Sequence, residues 1–155
     1  RPLPVRPVRG QMMAVEAVPP LLGRTVLAAG CYLIPWPDGR LVIGATVEDA
    51  GFHPYVTPEG LRSLAAAAVR AVPGVAGVPV LETWAGLRPG TPDDLPVLGP
   101  DPEVEGLCYA TGHFRNGILL APITAECVAD VVEGKRPAVA LDAFRPDRFG
   151  MGGAA

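Results

Sequence analysis

The stretch TGHFRNGILLAP, residues 111–122, crowds a histidine, an arginine and an asparagine between two glycines at the head of an apolar run. A glycine-flanked turn running from a strand into a helix leaves several backbone N–H groups without intrahelical partners. Those donors, with the positive end of the helix dipole, suit an anion or a carbonyl oxygen. Pro122 fits the first turn of a helix and not its interior. Regular helix is therefore expected to begin near Pro122, with Arg115 to Leu120 in an irregular turn. The plainer reading is a capped helix start with a solvated His113 and Arg115, and spacing leaves both open.

Arg88, in WAGLRPGTPDD, closes an apolar run and precedes Pro89. An arginine at a strand end offers a planar fork matched to a carboxylate. The alternative is a surface ion pair with Asp93 or Asp94, worth little. Tyr32 lies mid-strand among apolar residues, where its hydroxyl needs a partner. Core tyrosines usually meet that need within the protein. His113 has the chemistry of a general base, but no serine or cysteine stands at a recognisable spacing from it, so a hydrolase triad is not expected. Trp36 and Trp84 read as packing, and His53 sits in a loop with no further signal.

Composition narrows the classes. Hydrophobic residues make up 49% and charged residues 19% of 155, the latter below the roughly 25% of an average soluble domain. Part of the surface is therefore expected to face something other than water. A net charge of −3 without a run of basic residues argues against nucleic acid or a membrane surface as partner. No apolar segment reaches the ~18 residues of a membrane span. Cys31, Cys108 and Cys127 stand singly, without CxxC or paired histidines. No metal site is expected, and isolated buried thiols fit a reducing cytoplasm. The chain starts with Arg1 and shows no signal-peptide pattern, and we expect a piece of a longer chain.

The elements that must position these residues follow from periodicity. Residues 1–9 read as an extended lead-in, GQMMAVEAV as a strand and TVLAAGCYLIPW as a second. Asp38-Gly39 marks a hairpin, expected as a type I′ turn, followed by RLVIGATVE with Leu41, Ile43 and Ala45 alternating. Thr57-Pro58-Glu59 starts a helix with a hydroxyl cap, Pro at the first position and an early acid. Leu61, Leu64, Ala65, Ala68, Val69 and Val72 share one face of it. A strand VPVLETWAGLRP, a loop PGTPDDLP, a buried-looking strand GLCYATG and a second helix through ILLAPITAECVADVVEG complete the order. FRPDRFGMGGAA reads as a frayed tail. The class is α+β, mostly antiparallel or mixed sheet with two main helices, and no GxGxxG dinucleotide motif is present.

The order of these segments is more specific than any one of them. PVRGQ, YLIPWPDGRLVIGATVEDAGF, a helix led by TPEG, ETWAGLRPGTPDDLPVLGP and ATGHFRNGILLAPITAE together resemble the C-terminal half of the glycine oxidases of thiamine biosynthesis. These sit within the larger D-amino-acid oxidase group of flavoenzymes, and the resemblance runs from about Pro7 to Phe144. It implies that residues 1–149 are a substrate-binding domain plus a flavin-contacting turn and helix, with 150–155 a disordered tail. It also implies that a Rossmann-type N-terminal domain holding FAD is missing from this chain. By the same resemblance Arg88 pairs with the substrate carboxylate, Tyr32 hydrogen-bonds it, Arg115 lies near the substrate, and Val47 stands where apolar residues vary. His113, Phe114, Arg115, Asn116, Gly117, Ile118 and Leu119 form the loop against the flavin.

The implied reaction is oxidative deamination of glycine or another small amino acid, with hydride passing to FAD, hydrolysis of the imine, and oxygen yielding hydrogen peroxide. No catalytic acid or base is implied, since the cofactor carries the chemistry. LRPGTPDD has no cysteine for covalent attachment, so the FAD is expected to be non-covalent, and this chain alone is not expected to hold it. The expected partners are the amino acid, oxygen and the FAD-binding domain, with self-association through the uncovered apolar surface. The alternatives are a non-catalytic module that binds a partner or small carboxylate, and a sarcosine or D-amino-acid oxidase or dehydrogenase of the same group.

Overall fold

The computed structural model describes residues 2–150. The elements run β1 Arg6–Glu16, β2 Val26–Ala28, β3 Cys31–Pro35, β4 Arg40–Gly44, α1 Pro58–Ala71, β5 Val80–Gly90, β6 Val97–Pro100, β7 Cys108–Thr111 and α2 Gly117–Val132. Short 3₁₀ turns lie at Pro73–Gly77, Asp142–Phe144 and Pro146–Phe149. The chain is α+β, as its periodicity predicts. It divides into two compact units, one of residues 8–87 and one of the residues that flank them.

In the first unit, β2, β3, β4, β1 and β5 as far as Leu87 lie in that order in one sheet, with β1–β4, β2–β3 and β3–β4 antiparallel. The end of β5, Arg88 to Gly90, belongs to the second unit. Alternation sends Met13, Val15, Leu33, Leu41 and Ile43 to one face, where Leu64, Ala67 and Ala68 of α1 cover them. Leu33, Leu41 and Ile43 are fully buried. Helix α1 begins as expected: Thr57 Oγ1 accepts the Gly60 N–H at 3.2 Å. The other face of the sheet carries Met12, Gly44 and Tyr32 in one cross-strand row.

That regular pairing is interrupted once. Met12 pairs with Gly44, and Arg9 pairs with Glu48 in an isolated bridge. Residues 9–12 thus stand opposite residues 44–48, one more on the second side, which is the count of a β-bulge. The extra residue reverses the alternation beyond Gly44. Thr46 and Glu48 share the face of Gln11, and Val47 turns to the face of Tyr32.

In the second unit, β6 and β7 form an antiparallel pair, Val97 opposite Thr111 and Pro100 opposite Cys108, and α2 packs against both. Val97 is fully buried, while β7 is no more than half-buried and Ala110 is exposed, contrary to the expectation for GLCYATG. The three cysteines are free; Cys31 and Cys127 are buried and Cys108 half-buried.

Several boundaries differ from the sequence reading. The lead-in is partly strand: β1 begins at Arg6, and within it Arg9 N–H and C=O both bond Glu48 at 2.9 Å. TVLAAGCYLIPW is two strands, folded on themselves at Gly30 with φ +87°. The Asp38-Gly39 hairpin is present with a different turn. Gly39 N–H bonds Trp36 O at 3.2 Å and Gly39, not Asp38, takes positive φ. This suits Pro37 at the first central position, followed by a glycine bulge.

The second helix begins at Gly117, and Pro122 lies inside it. Pro122 cannot supply the N–H that would normally bond the Ile118 carbonyl, and Ile118 is 95% exposed, where water can take that place. β6 was hidden inside VLGP by its glycine and proline. The expected frayed tail is ordered as far as Phe149, and residues 151–155 lie outside the described residues.

Candidate functional site

The turn from Thr111 into α2 is fastened to the strand that carries Arg88. Phe114 takes φ +49° and its N–H bonds Pro89 O, the next carbonyl after Arg88, at 3.0 Å. Gly112, at φ +78°, packs so closely that an added β-carbon would lie 2.7 Å from Thr91 Cγ2. Thr91 is buried and its Oγ1 donates to Leu95 O at 2.8 Å. A glycine is required at 112 both for the left-handed backbone and for this contact. Arg88 is half-buried near the end of β5.

Asp93, one of the anions that sequence alone offers to Arg88, has both oxygens held by Arg148. Nε reaches Oδ2 at 2.9 Å and Nη2 reaches Oδ1 at 3.1 Å. The side-chain hydrogen bonds from Arg148 hold the Asp93 carboxyl well below its ordinary value, at about 2. Arg148 Nη2 also donates to Leu95 O at 2.8 Å, so the C-terminal 3₁₀ turn pins the loop that follows Arg88. Periodicity gave no sign of this latch, because it joins residues 55 apart.

At the start of α2, Asn116 is the N-cap but makes no side-chain capping bond, and no acid stands in the first turn. Asn116 N–H bonds His113 O at 2.9 Å, closing the turn, and Leu120 N–H reaches Asn116 O at 2.8 Å. The N–H groups of Gly117, Ile118 and Leu119 belong to the first helical turn, which has no intrahelical acceptors for them. They, rather than donors near Pro122, are the positive end of this helix. Arg115 and Asn116 are exposed, and Ile118 and Leu119 expose 95% and 78% of their surface. Such an apolar, uncapped helix end suits a flat group with an electron-rich edge.

His113 Nε2 shares a 3.0 Å hydrogen bond with Thr124 Oγ1. Burial lowers the His113 pKa and so favours the neutral imidazole. No periodicity marks a pair 11 residues apart across a turn. The bond fastens the turn to its own helix, beside a groove of about 300 Å³ along Gly117, Ala121 and Ala125.

Tyr32 and Val47 belong to the other unit. Tyr32 Oη has the weak acceptor Met12 Sδ at 3.9 Å, which leaves the hydroxyl able to serve a stronger one. Val47 is 58% exposed. Among the described residues no cluster of His, Cys, Asp or Glu can hold a metal ion, and no helix is long and apolar enough to cross a membrane.

A family model described as FAD dependent oxidoreductase (DAO) matches residues 1–131. The bifunctional protein ThiO/ThiG of Trichormus variabilis is 45% identical over 152 residues, covering 96% of this chain and 23% of that protein. A glycine oxidase of Pseudomonas aeruginosa is 42% identical over 144 residues, covering 93% of this chain and 40% of its own length. The crystal structure of glycine oxidase from Geobacillus kaustophilus superposes with a TM-score of 0.91 at 43% identity, over 97% of this chain and 41% of that one. The chain thus spans well under half the length of the relatives it matches. On the family match and these relatives, the chain belongs to the DAO family of FAD dependent oxidoreductases.

Proposed function

We propose that this chain is the substrate-binding part of an FAD-dependent oxidase that acts on glycine or another small amino acid and serves thiamine thiazole synthesis. The observation that carries this reading is the Phe114 N–H bond to Pro89 O at 3.0 Å, which ties the turn before α2 to the backbone beside Arg88. An arginine fork and an uncapped helix end are thereby fixed in one unit. These are the two recognition elements that an amino-acid carboxylate and a flavin edge need.

In this reading Arg88 holds the substrate carboxylate through paired, charge-assisted hydrogen bonds. Arg115 adds positive charge near the substrate, and Tyr32 and Val47, on one face of the first unit, serve as substrate-facing residues, the hydroxyl as a donor and the valine as a limit on side-chain size. His113 to Leu119 hold FAD non-covalently, with the Gly117–Leu119 N–H groups facing a flavin carbonyl and Ile118 and Leu119 covered by the cofactor or its domain. FAD, when bound, supplies the two-electron acceptor for the carbon–hydrogen bond next to the amine. The chain's own contribution is orientation and a preorganised field where negative charge grows. The adenine and pyrophosphate contacts belong to a segment with a GxGxxG turn. The chain alone therefore does not retain FAD through gel filtration.

The test is peroxide release by the full-length protein, supplied with FAD and offered glycine, sarcosine and D-alanine. Peroxide formed with at least one of them, together with bleaching of the flavin band without oxygen, supports the reading. Neither signal with any of the three contradicts it.

A further inference from the structure

Val47 lies between two residues that are anchored from the opposite face. On its N-terminal side, Gln11 N–H donates to Thr46 Oγ1 at 2.8 Å and Thr46 N–H returns to Gln11 O at 3.3 Å. On its C-terminal side, Glu48 exchanges two backbone bonds with Arg9, and its Oε2 accepts Arg9 Nε at 2.7 Å. Glu48 Oε1 accepts Gln11 Nε2 at 2.8 Å.

Gln11 is fully buried and every polar atom of its side chain is used. Its Nε2 also donates to Thr57 Oγ1 at 3.0 Å, and its Oε1 accepts the Thr57 N–H at 2.7 Å. The network therefore reaches the cap of α1, where a β-carbon at Gly60 would collide with the Gln11 amide. Arg9 is further fixed by a 3.3 Å bond to His53 O and by lying 5.2 Å from the Tyr55 ring centre. Burial pushes the Glu48 carboxyl up, but hydrogen bonds from Thr46, Arg9 and Gln11 outweigh it and keep it below its usual range.

A buried ionic network of this kind is a costly way to hold a surface loop. Its geometric result is specific. Without the extra residue near Ala45, alternation would put Val47 in phase with Leu41 and Ile43 and bury it; with the bulge anchored, Val47 is turned outward beside the row of Tyr32.

We infer that Glu48, acting through Arg9 and Gln11, is a positioning residue that holds Val47 on the Tyr32 face and so sets which amino-acid side chains fit there. This role rests on the reading that Tyr32 and Val47 face the substrate.

The experiment compares KM for glycine and D-alanine in the full-length flavoprotein and in Glu48→Gln, Thr46→Val and Val47→Ala variants. Glutamine keeps the shape of Glu48 but offers one carbonyl oxygen to two donors, Arg9 and Gln11, so one anchor is lost. Thr46→Val removes the other anchor at equal shape and serves should Glu48→Gln fail to fold. A change in folded fraction lowers apparent kcat and leaves the ratio of the two KM values alone, so that ratio separates positioning from stability.

The expected result is a shift in the ratio of about threefold or more in the anchor variants, in the direction of the Val47→Ala shift; a methylene in an apolar pocket is worth roughly tenfold or more. A ratio that moves in Val47→Ala and in neither anchor variant overturns the role of Glu48 and leaves the oxidase reading intact. A ratio unmoved in all three variants of an active enzyme removes Val47 from the substrate site, and the inference with it. No peroxide from the parent protein with any amino acid defeats the functional reading itself.

Discussion

Tyr32 lies across Gly44, its cross-strand partner, so closely that a β-carbon at Gly44 would stand 2.6 Å from the tyrosine Oη. The glycine is the seat of the ring. In the proposed site this fixes where the hydroxyl points.

Gly44→Ala is therefore expected to displace the Tyr32 phenol while sparing the core, which lies on the other face of the sheet. In the full-length oxidase KM for the amino acid should rise about tenfold, the value of one hydrogen bond to a charged group. Steady-state kinetics of Gly44→Ala beside Tyr32→Phe checks this. Similar KM rises in both support it, and an unchanged KM in Gly44→Ala shows that the ring does not depend on its seat.

Gly112→Ala should destabilise the second unit directly. The new methyl would meet Thr91 Cγ2 at 2.7 Å on a backbone at φ +78°. Both effects act together, for a loss of about 1–3 kcal/mol, read as a lower denaturation midpoint. Gly106→Ala is the control: its φ of +79° is equally left-handed but nothing lies within 4 Å of an added β-carbon. The difference between the two variants isolates the contact with Thr91.

The Asp93–Arg148 latch gives a pH signature. The Asp93 carboxyl is lowered from 3.8 to about 2, so its ionised form is favoured in the folded chain. The stabilisation is fully present above pH 3.8 and is lost as pH falls through about 2. Asp93 is 37% exposed, and screening limits its value to about 1 kcal/mol. Asp93→Asn should lower stability at pH 7 and make less difference at the acid end of that window. Equal losses at both ends would show that the latch is not electrostatic.

What the sequence displays and what it hides divides along contact distance. The Thr57 cap, the α1 face around Leu64 and Ala68, and the Asp38-Gly39 hairpin are local signals, and each is found in the structure. The start of α2 was misplaced because Pro122 is a strong local breaker, and only the exposure of Ile118 explains why the helix runs through it. Continuing the alternation of Leu41, Ile43 and Ala45 would put Val47 on their face; a one-residue bulge, visible only in the register with β1, places it on the opposite one. The Arg148 latch and the His113–Thr124 bond depend on pairs that no periodicity marks.

The most direct test of the central claim is Arg88→Ala in the full-length flavoprotein, with KM for the amino acid and the flavin absorbance of the purified protein read together. KM is expected to rise roughly 10- to 100-fold, the loss of charge-assisted hydrogen bonds to a carboxylate, with flavin content unchanged. An unchanged KM, in an enzyme that still oxidises the amino acid, would contradict Arg88 as the carboxylate anchor.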